Sequence, residues 1–229
     1  MRVFFATVLS IAMLASQAGA SEKKELKSDK EKVSYSIGME IGTSFKKQSI
    51  DIDTDALASG IRDAVSGNKP LLTENEIKET MMAFQKEMMA KQAEKAKAAA
   101  EKNSKEGETF LAENKKKEGV KTTESGLQYK VIKAGDGPTP KAADTVSVNY
   151  RGTLIDGTEF DSSYKRGEAA SFPVNGVMKG WTEALQLMKV GSKYQLFIPS
   201  NLAYGERGAG QQIGPNSTLI FEVELLSIK

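Results

Sequence analysis

Residues 144–163 read DTVSVNYRGTLIDGTEFDSS. Through Asp144–Gly157 apolar and polar side chains alternate, bounded by Asp and Gly, and that period of two is the mark of an antiparallel strand with one buried face. Asp156-Gly157 then reads as a hairpin turn, with Glu159 placed as a solvent-facing residue of the returning strand. The carboxylates of Asp156, Glu159 and Asp161 invite a metal, but no EF-hand spacing surrounds Asp156 and Asp161, and with Glu159 turned to solvent no His or further clustered acid completes a site. No metal is expected.

Three further stretches carry the same grammar: LQYKVIKAG (127–135), SKYQLFIPS (192–200) and STLIFEVELLSIK (217–229). Between them VMKGWTEALQLMKVG (177–191) places Trp181, Leu185 and Met188 at helical spacing, which predicts a short helix ending at Gly191 as its C-cap. Strands around one short helix, from about Thr122 onward, define an α+β domain.

Upstream the grammar is helical. SDKE (28–31) has capping-box spacing, and Val33, Ile37, Ile41 and Phe45 recur every four residues. Beside them runs a row of small residues, Ser34, Gly38 and Gly42, suited either to tight packing within the chain or to a subunit interface. Asp53 or Thr54 caps a second predicted helix through Val65, ended by Gly67. TENE (73–76) is another capping box, followed by the seam Ile77, Met81, Phe84 and Met88. Beyond Ala90 the chain is almost entirely Ala, Lys and Glu, a composition suited to a helix wet on all sides. From Thr73 some 45 residues would reach about 70 Å, with Gly107 the position able to interrupt them. Lysines there alternate with glutamates at pairing distance and form a solvated face rather than a nucleic-acid patch. The methionines suit an adaptable packing surface.

The composition excludes much chemistry. Among 229 residues there is no His and no Cys, so no Ser–His or Cys–His nucleophile pair, no disulfide and none of the usual zinc sites can form. Basic and acidic residues number 32 and 30, for a formal net charge of +2, which gives no reason to invoke nucleic acid. The first residues, MRVFFATVLSIAMLASQAGA, combine Arg2, an apolar run to Ala15 and an A-x-A ending. They read as a signal peptide (1–20) cleaved after Ala20, the run being too short to span a bilayer. No Cys stands there to be lipidated. Export to the periplasm is expected, with outer-membrane association or secretion left open.

In this order VNYRGTLIDGTEFDSS, VMKGWTEALQLMKVG, IPSNLAYG and IGPNSTLIFEVELL resemble the FKBP-type peptidyl-prolyl isomerases. YSIGMEIG and ENKKKEGV before SGLQYKVI resemble more narrowly the macrophage infectivity potentiator (Mip) subgroup. The resemblance covers essentially the whole chain after the signal peptide. It implies an antiparallel half-barrel sheet wrapped around the short helix at 122–229, an all-α N-terminal dimerisation domain at 21–72 and a long connecting helix at 73–121. It turns the Ser34, Gly38, Gly42 row toward a homodimer interface. Carried over by position, it makes Trp181 the floor under a proline ring and Tyr150, Phe160, Val177, Met178, Ile213 and Phe221 the apolar walls. Tyr204 would offer its hydroxyl to a substrate carbonyl, the Met178 N–H would anchor another, and Asp161 would form a polar edge. The implied partners are proline-containing unfolded or exported polypeptides and FK506- or rapamycin-type macrolides, with no cofactor. Where many relatives carry an aromatic this chain has Ala170, so one wall is expected to be more open, and Ala209 replaces a larger or polar side chain. The alternative expectation is a chaperone or peptide-binding module with little catalytic role.

Overall fold

The computed structural model describes residues 25–229, and the expected signal peptide lies outside them. The chain divides after Thr73 into two units.

The first unit holds helices α1 (Asp29–Gln48) and α2 (Thr54–Ser66). The capping box at the start of α1 is formed, with the Ser28 hydroxyl accepting from the Glu31 N–H and the Glu31 carboxylate accepting from the Ser28 N–H. Asp53 caps α2 by accepting from the N–H groups of Asp55 and Ala56, and Gly67 closes it at φ 66°. Neither helix contains a buried residue: Val33, Ile37 and Ile41 are 58%, 53% and 36% exposed. Side chains built at Gly38 and Gly42 would meet nothing within 4 Å. The small-residue row is therefore not explained by packing among the described residues.

The second unit begins with α3 (Glu74–Asn114), an unbroken helix of 41 residues and about 60 Å. Gly107 does not interrupt it. The helix stops short of the expected residue 121 because the sheet captures its end. The Gln128 side chain donates to the Leu111 carbonyl and accepts from the Asn114 amide, each at 2.9 Å. Gly119, at φ 79°, then turns the chain into a strand.

Seven strands follow: β1 (Val120–Thr122), β2 (Gln128–Lys133), β3 (Thr145–Leu154), β4 (Glu159–Ser162), β5 (Ala170–Pro173), β6 (Lys193–Ile198) and β7 (Leu219–Ile228). They form one open antiparallel sheet in the order β1-β2-β6-β7-β3-β4, with β5 beside the first half of β3 and β4 beside its second half. The four strand stretches expected from alternation are β2, β3, β6 and β7; β1, β4 and β5 are short or carry only part of a period. Two small helices complete the unit, α4 (Ser163–Arg166) and α5 (Lys179–Leu185).

Alternation decides the two sheet faces. Val146, Val148 and Tyr150 of β3 and Leu219, Phe221, Val223 and Leu225 of β7 all point into one core, closed by Trp181, Ala184 and Leu185 of α5. On the opposite face Phe197 is buried with Phe110 of α3 packed on it at 5.9 Å. Burying such a ring contributes about 1.5–3 kcal/mol, so the end of α3 is part of this unit's packing. α5 itself is shorter than expected and does not run to Gly191. After Leu185 the N–H groups of Leu187 and Met188 reach back only three residues, to Ala184 and Leu185, as in a turn. Gly191 (φ 87°) serves the entry to β6 instead, donating to the Leu225 carbonyl.

Candidate active site

The switch of neighbours along β3 creates the site. Where β5 ends and β4 has not yet begun, the Tyr150 N–H has no strand partner, and it donates to the Ser163 hydroxyl at 2.9 Å. The Tyr150 ring itself turns into the core, edge-on to Trp181. The Asp156-Gly157 turn, with Gly157 at φ 87° and the Asp156 carboxylate accepting from the Thr158 N–H, returns the chain as β4, whose Phe160 and Asp161 line the same cavity as Tyr150.

All nine residues expected at the site, Tyr150, Phe160, Asp161, Val177, Met178, Trp181, Tyr204, Ile213 and Phe221, line one cavity of 570 Å³. That is the size of an ordinary small-ligand pocket. Trp181, 3% exposed, is its floor. Three rings stand edge-on or nearly so against the indole: Tyr150 at 5.2 Å, Phe221 at 5.2 Å and Phe172 at 5.9 Å. Phe160 completes the cluster by meeting Phe221 edge-on at 5.5 Å. Such edge-to-face pairs are favoured by the ring quadrupoles and fix each plane relative to the next. Gly152 makes the arrangement possible, because a methyl group there would lie 2.7 Å from both the Phe160 and Phe221 rings. The indole Nε1 has no partner among the described residues.

One edge of the cavity is polar and internally satisfied. The Tyr150 hydroxyl donates to Asp161 at 2.5 Å and accepts from Arg166 at 2.8 Å, and Arg166 donates to the other Asp161 oxygen. The guanidinium also stands 5.4 Å from the centre of the Tyr150 ring. Burial acts against the charged form of Asp161, yet the bonds from Tyr150 and Arg166 outweigh it and hold the carboxyl below its ordinary range. Burial, reinforced by the bond to Asp161, pushes the Tyr150 hydroxyl up, so it stays a neutral donor. Across the cavity Tyr204 is 41% exposed, and burial followed by the charge of Asp161 raises its hydroxyl as well. The Met178 carbonyl accepts from the N–H groups of Trp181 and Thr182, while its own N–H meets no backbone carbonyl among the described residues.

The structure adds residues that the sequence did not single out. Phe172 occupies the wall expected to be open beside Ala170: in β5 the alternation turns Ala170 and Phe172 to the same side, and the ring two positions on fills the space. Period-two alternation through ASFP was the available signal. Arg166 gave none, since nothing local tells a surface Arg from one that clasps Asp161. Gln211 and Gln212 stand at the rim beside Ala209 and Ile213. Glu159 is not simply solvent-facing: its side chain is 18% exposed and held by Arg151 at 2.6 Å and Lys165 at 2.8 Å, because the β3–β4 pairing draws Arg151 across the strand. Among the described residues no group of His, Cys, Asp or Glu is placed to hold a metal ion.

The chain matches known proteins along its length. Residues 137–226 match the family model described as FKBP-type peptidyl-prolyl cis-trans isomerase, and residues 30–131 that of the domain amino-terminal to it. "Outer membrane protein MIP" of Legionella longbeachae is 48% identical over 229 residues, covering 100% of this chain and 98% of that one. The chain belongs to the FKBP-type peptidyl-prolyl cis-trans isomerases. A second relative, "Peptidyl-prolyl cis-trans isomerase Mip" of Coxiella burnetii, is 47% identical, with 96% of each chain covered. Among solved structures, FkpA from Escherichia coli is similar to this FKBP-type chain with a TM-score of 0.69 and 43% identity, over 90% of this chain and 99% of that one.

Proposed function

We propose that the protein is an FKBP-type isomerase that accelerates rotation about X–Pro bonds in exported polypeptides, with the aromatic cavity over Trp181 as its catalytic site. The observation that carries this is the ring cluster of Tyr150, Phe172, Trp181 and Phe221 around an apolar cavity with only a self-satisfied polar edge. Rotation is opposed by about 18–20 kcal/mol of amide resonance. The planar amide is the more polar and better hydrated state, and the twisted amide has lost resonance and part of its dipole. A dry apolar cavity that grips the proline ring on Trp181 therefore favours the twisted state over the planar one, which is the differential binding that catalysis needs. The Tyr204 hydroxyl and the Met178 N–H hold the flanking carbonyls. Asp161, with both oxygens engaged, acts by fixing Tyr150 and Arg166 rather than by exchanging a proton. FK506- and rapamycin-type macrolides would compete for the same cavity.

A protease-coupled assay on a proline tetrapeptide tests the reaction. Acceleration that falls in Asp161→Asn and Tyr204→Phe is the expected result; no acceleration by the purified protein would remove the catalytic reading and leave the peptide-binding one.

The proposal extends to assembly and place. Residues 21–72 form a dimerisation module through the Ser34, Gly38, Gly42 face, supported by apolar residues of α1 that no described residue covers. α3 connects it to the isomerase region at 122–229. The apolar leader at 1–20 supports export to the periplasm. No described helix is long and apolar enough to cross a membrane.

A further inference from the structure

The loop 203–218 carries Tyr204, Ala209, Gln211, Gln212 and Ile213 to the cavity, yet contains no strand and only short turns. Its neck is closed by the Asn216 N–H donating to the Gly205 carbonyl at 2.8 Å, and its tip by reciprocal bonds between Ala209 and Ile213 at 2.8 and 3.1 Å. Asn216 turns the chain at φ 55°, in the left-handed region that Asn adopts more readily than other non-glycine residues.

The loop is also held from α3. The Asn103 amide donates to the Pro215 carbonyl at 2.8 Å and reaches the Ser217 hydroxyl at 3.4 Å, and Ser217 in turn donates to the Gly214 carbonyl at 2.9 Å. The approach is close enough that a methyl group at Gly214 would lie 3.0 Å from the Asn103 nitrogen. Asn103 is itself held in place, because the same stretch of α3 is docked at three further points. Gly107 lies against Thr218, Phe110 covers Phe197, and Asn114 is bonded to Gln128.

We propose that Asn103 is a positioning residue for the cavity: through the Gly214–Ser217 turn, the end of α3 sets where the Ile213 wall and the 209–212 rim stand. The helix is then not only a connector but one side of the frame in which the pocket loop is stretched. This rests on the isomerase function proposed above for its kinetic readout, though not for its structural one.

The test uses the chain from residue 21 onward with Asn103→Ala, Asn103→Asp, which keeps the size but replaces the donor with acceptors, and Ser104→Ala as a neighbour whose hydroxyl donates to Glu108. One side-chain hydrogen bond of ordinary net strength corresponds to a loss in kcat/KM of about three- to ten-fold for Asn103→Ala, and at least that for Asn103→Asp. Ser104→Ala is expected to match the wild type. Because the effect runs through the wall, it should shrink to less than about two-fold when Ile213→Ala is already present. Amide exchange at Ile213 and Asn216 should quicken in both Asn103 variants. Wild-type kinetics and exchange in Asn103→Ala would overturn the proposal, and so would an undiminished loss in the Ile213→Ala background, which would mark a general effect on stability. If the wild-type chain were no isomerase at all, the function above would fall, and exchange alone would decide this inference: faster at Asn216 in favour, unchanged against.

Discussion

At the scale of single residues, the site is a set of groups whose charges are fixed. Asp161 has a depressed pKa, so the stability it contributes is present above the ordinary carboxylate range, near pH 4 or about that, and is lost only as pH falls through its lowered value. Tyr150 has a raised pKa, so its neutral donor persists below the ordinary tyrosine value of about 10 and is lost only as pH rises beyond it. With no His in the chain, kcat/KM should be flat from about pH 5 to about pH 9; an inflection near neutrality would point to a titrating group that this site does not hold. Tyr204→Phe should lower kcat/KM by about two- to ten-fold, the loss of the hydrogen bond proposed for its hydroxyl, without changing the melting temperature. Gly152→Ala, by contrast, should wedge a methyl between Phe160 and Phe221 and lower thermal stability as well as activity, measurable by calorimetry. The pocket aromatics could be named from ordered motifs because each motif carries its own ring. Phe172 and Arg166 escaped because their roles come from where β5 and α4 settle against β3, which no short stretch of sequence states.

At the scale of elements, α3 shows how local preference and packing pull apart. Replacing Gly107 by Ala favours the isolated helix by about 1 kcal/mol, but the new methyl falls inside contact with the hydroxyl of buried, β-branched Thr218. The clash should win, giving a lower melting temperature; a higher one would show that Thr218 turns aside freely. Likewise a fragment starting at Thr122 loses the cover over Phe197 and the partners of Gln128. It should unfold in urea about 2–4 kcal/mol less stable than one starting near residue 100, and equal midpoints would deny α3 that share. The capping box at Ser28, the cap at Asp53 and the four long strands were legible because caps and alternation are local signals. The end of α3 at Asn114 was not, since it is set by the Gln128 side chain of β2, nor was the early stop of α5, where the N–H groups of Leu187 and Met188 turn back only three residues.

At the scale of the whole molecule, an α1 that leaves Val33, Tyr35, Ile37 and Met39 half exposed has apolar surface in search of cover. The chain from residue 21 onward should sediment as a dimer at micromolar concentration, and Gly38→Leu should weaken that dimer while leaving the helix intact by circular dichroism; a monomer would count against the Gly38 and Gly42 face. The sheet has a consequence of another kind. β7 is last in chain order yet lies in the middle, bonded to β6 along one edge and β3 along the other, and it brings Phe221 to the pocket. A chain still emerging from a ribosome or a translocation pore, short of its final strand, lacks both the keystone of the sheet and one wall of the cavity. A catalyst of X–Pro rotation is thus silent until its own sheet is complete, and loss of β7 by clipping would abolish fold and activity in a single cooperative event.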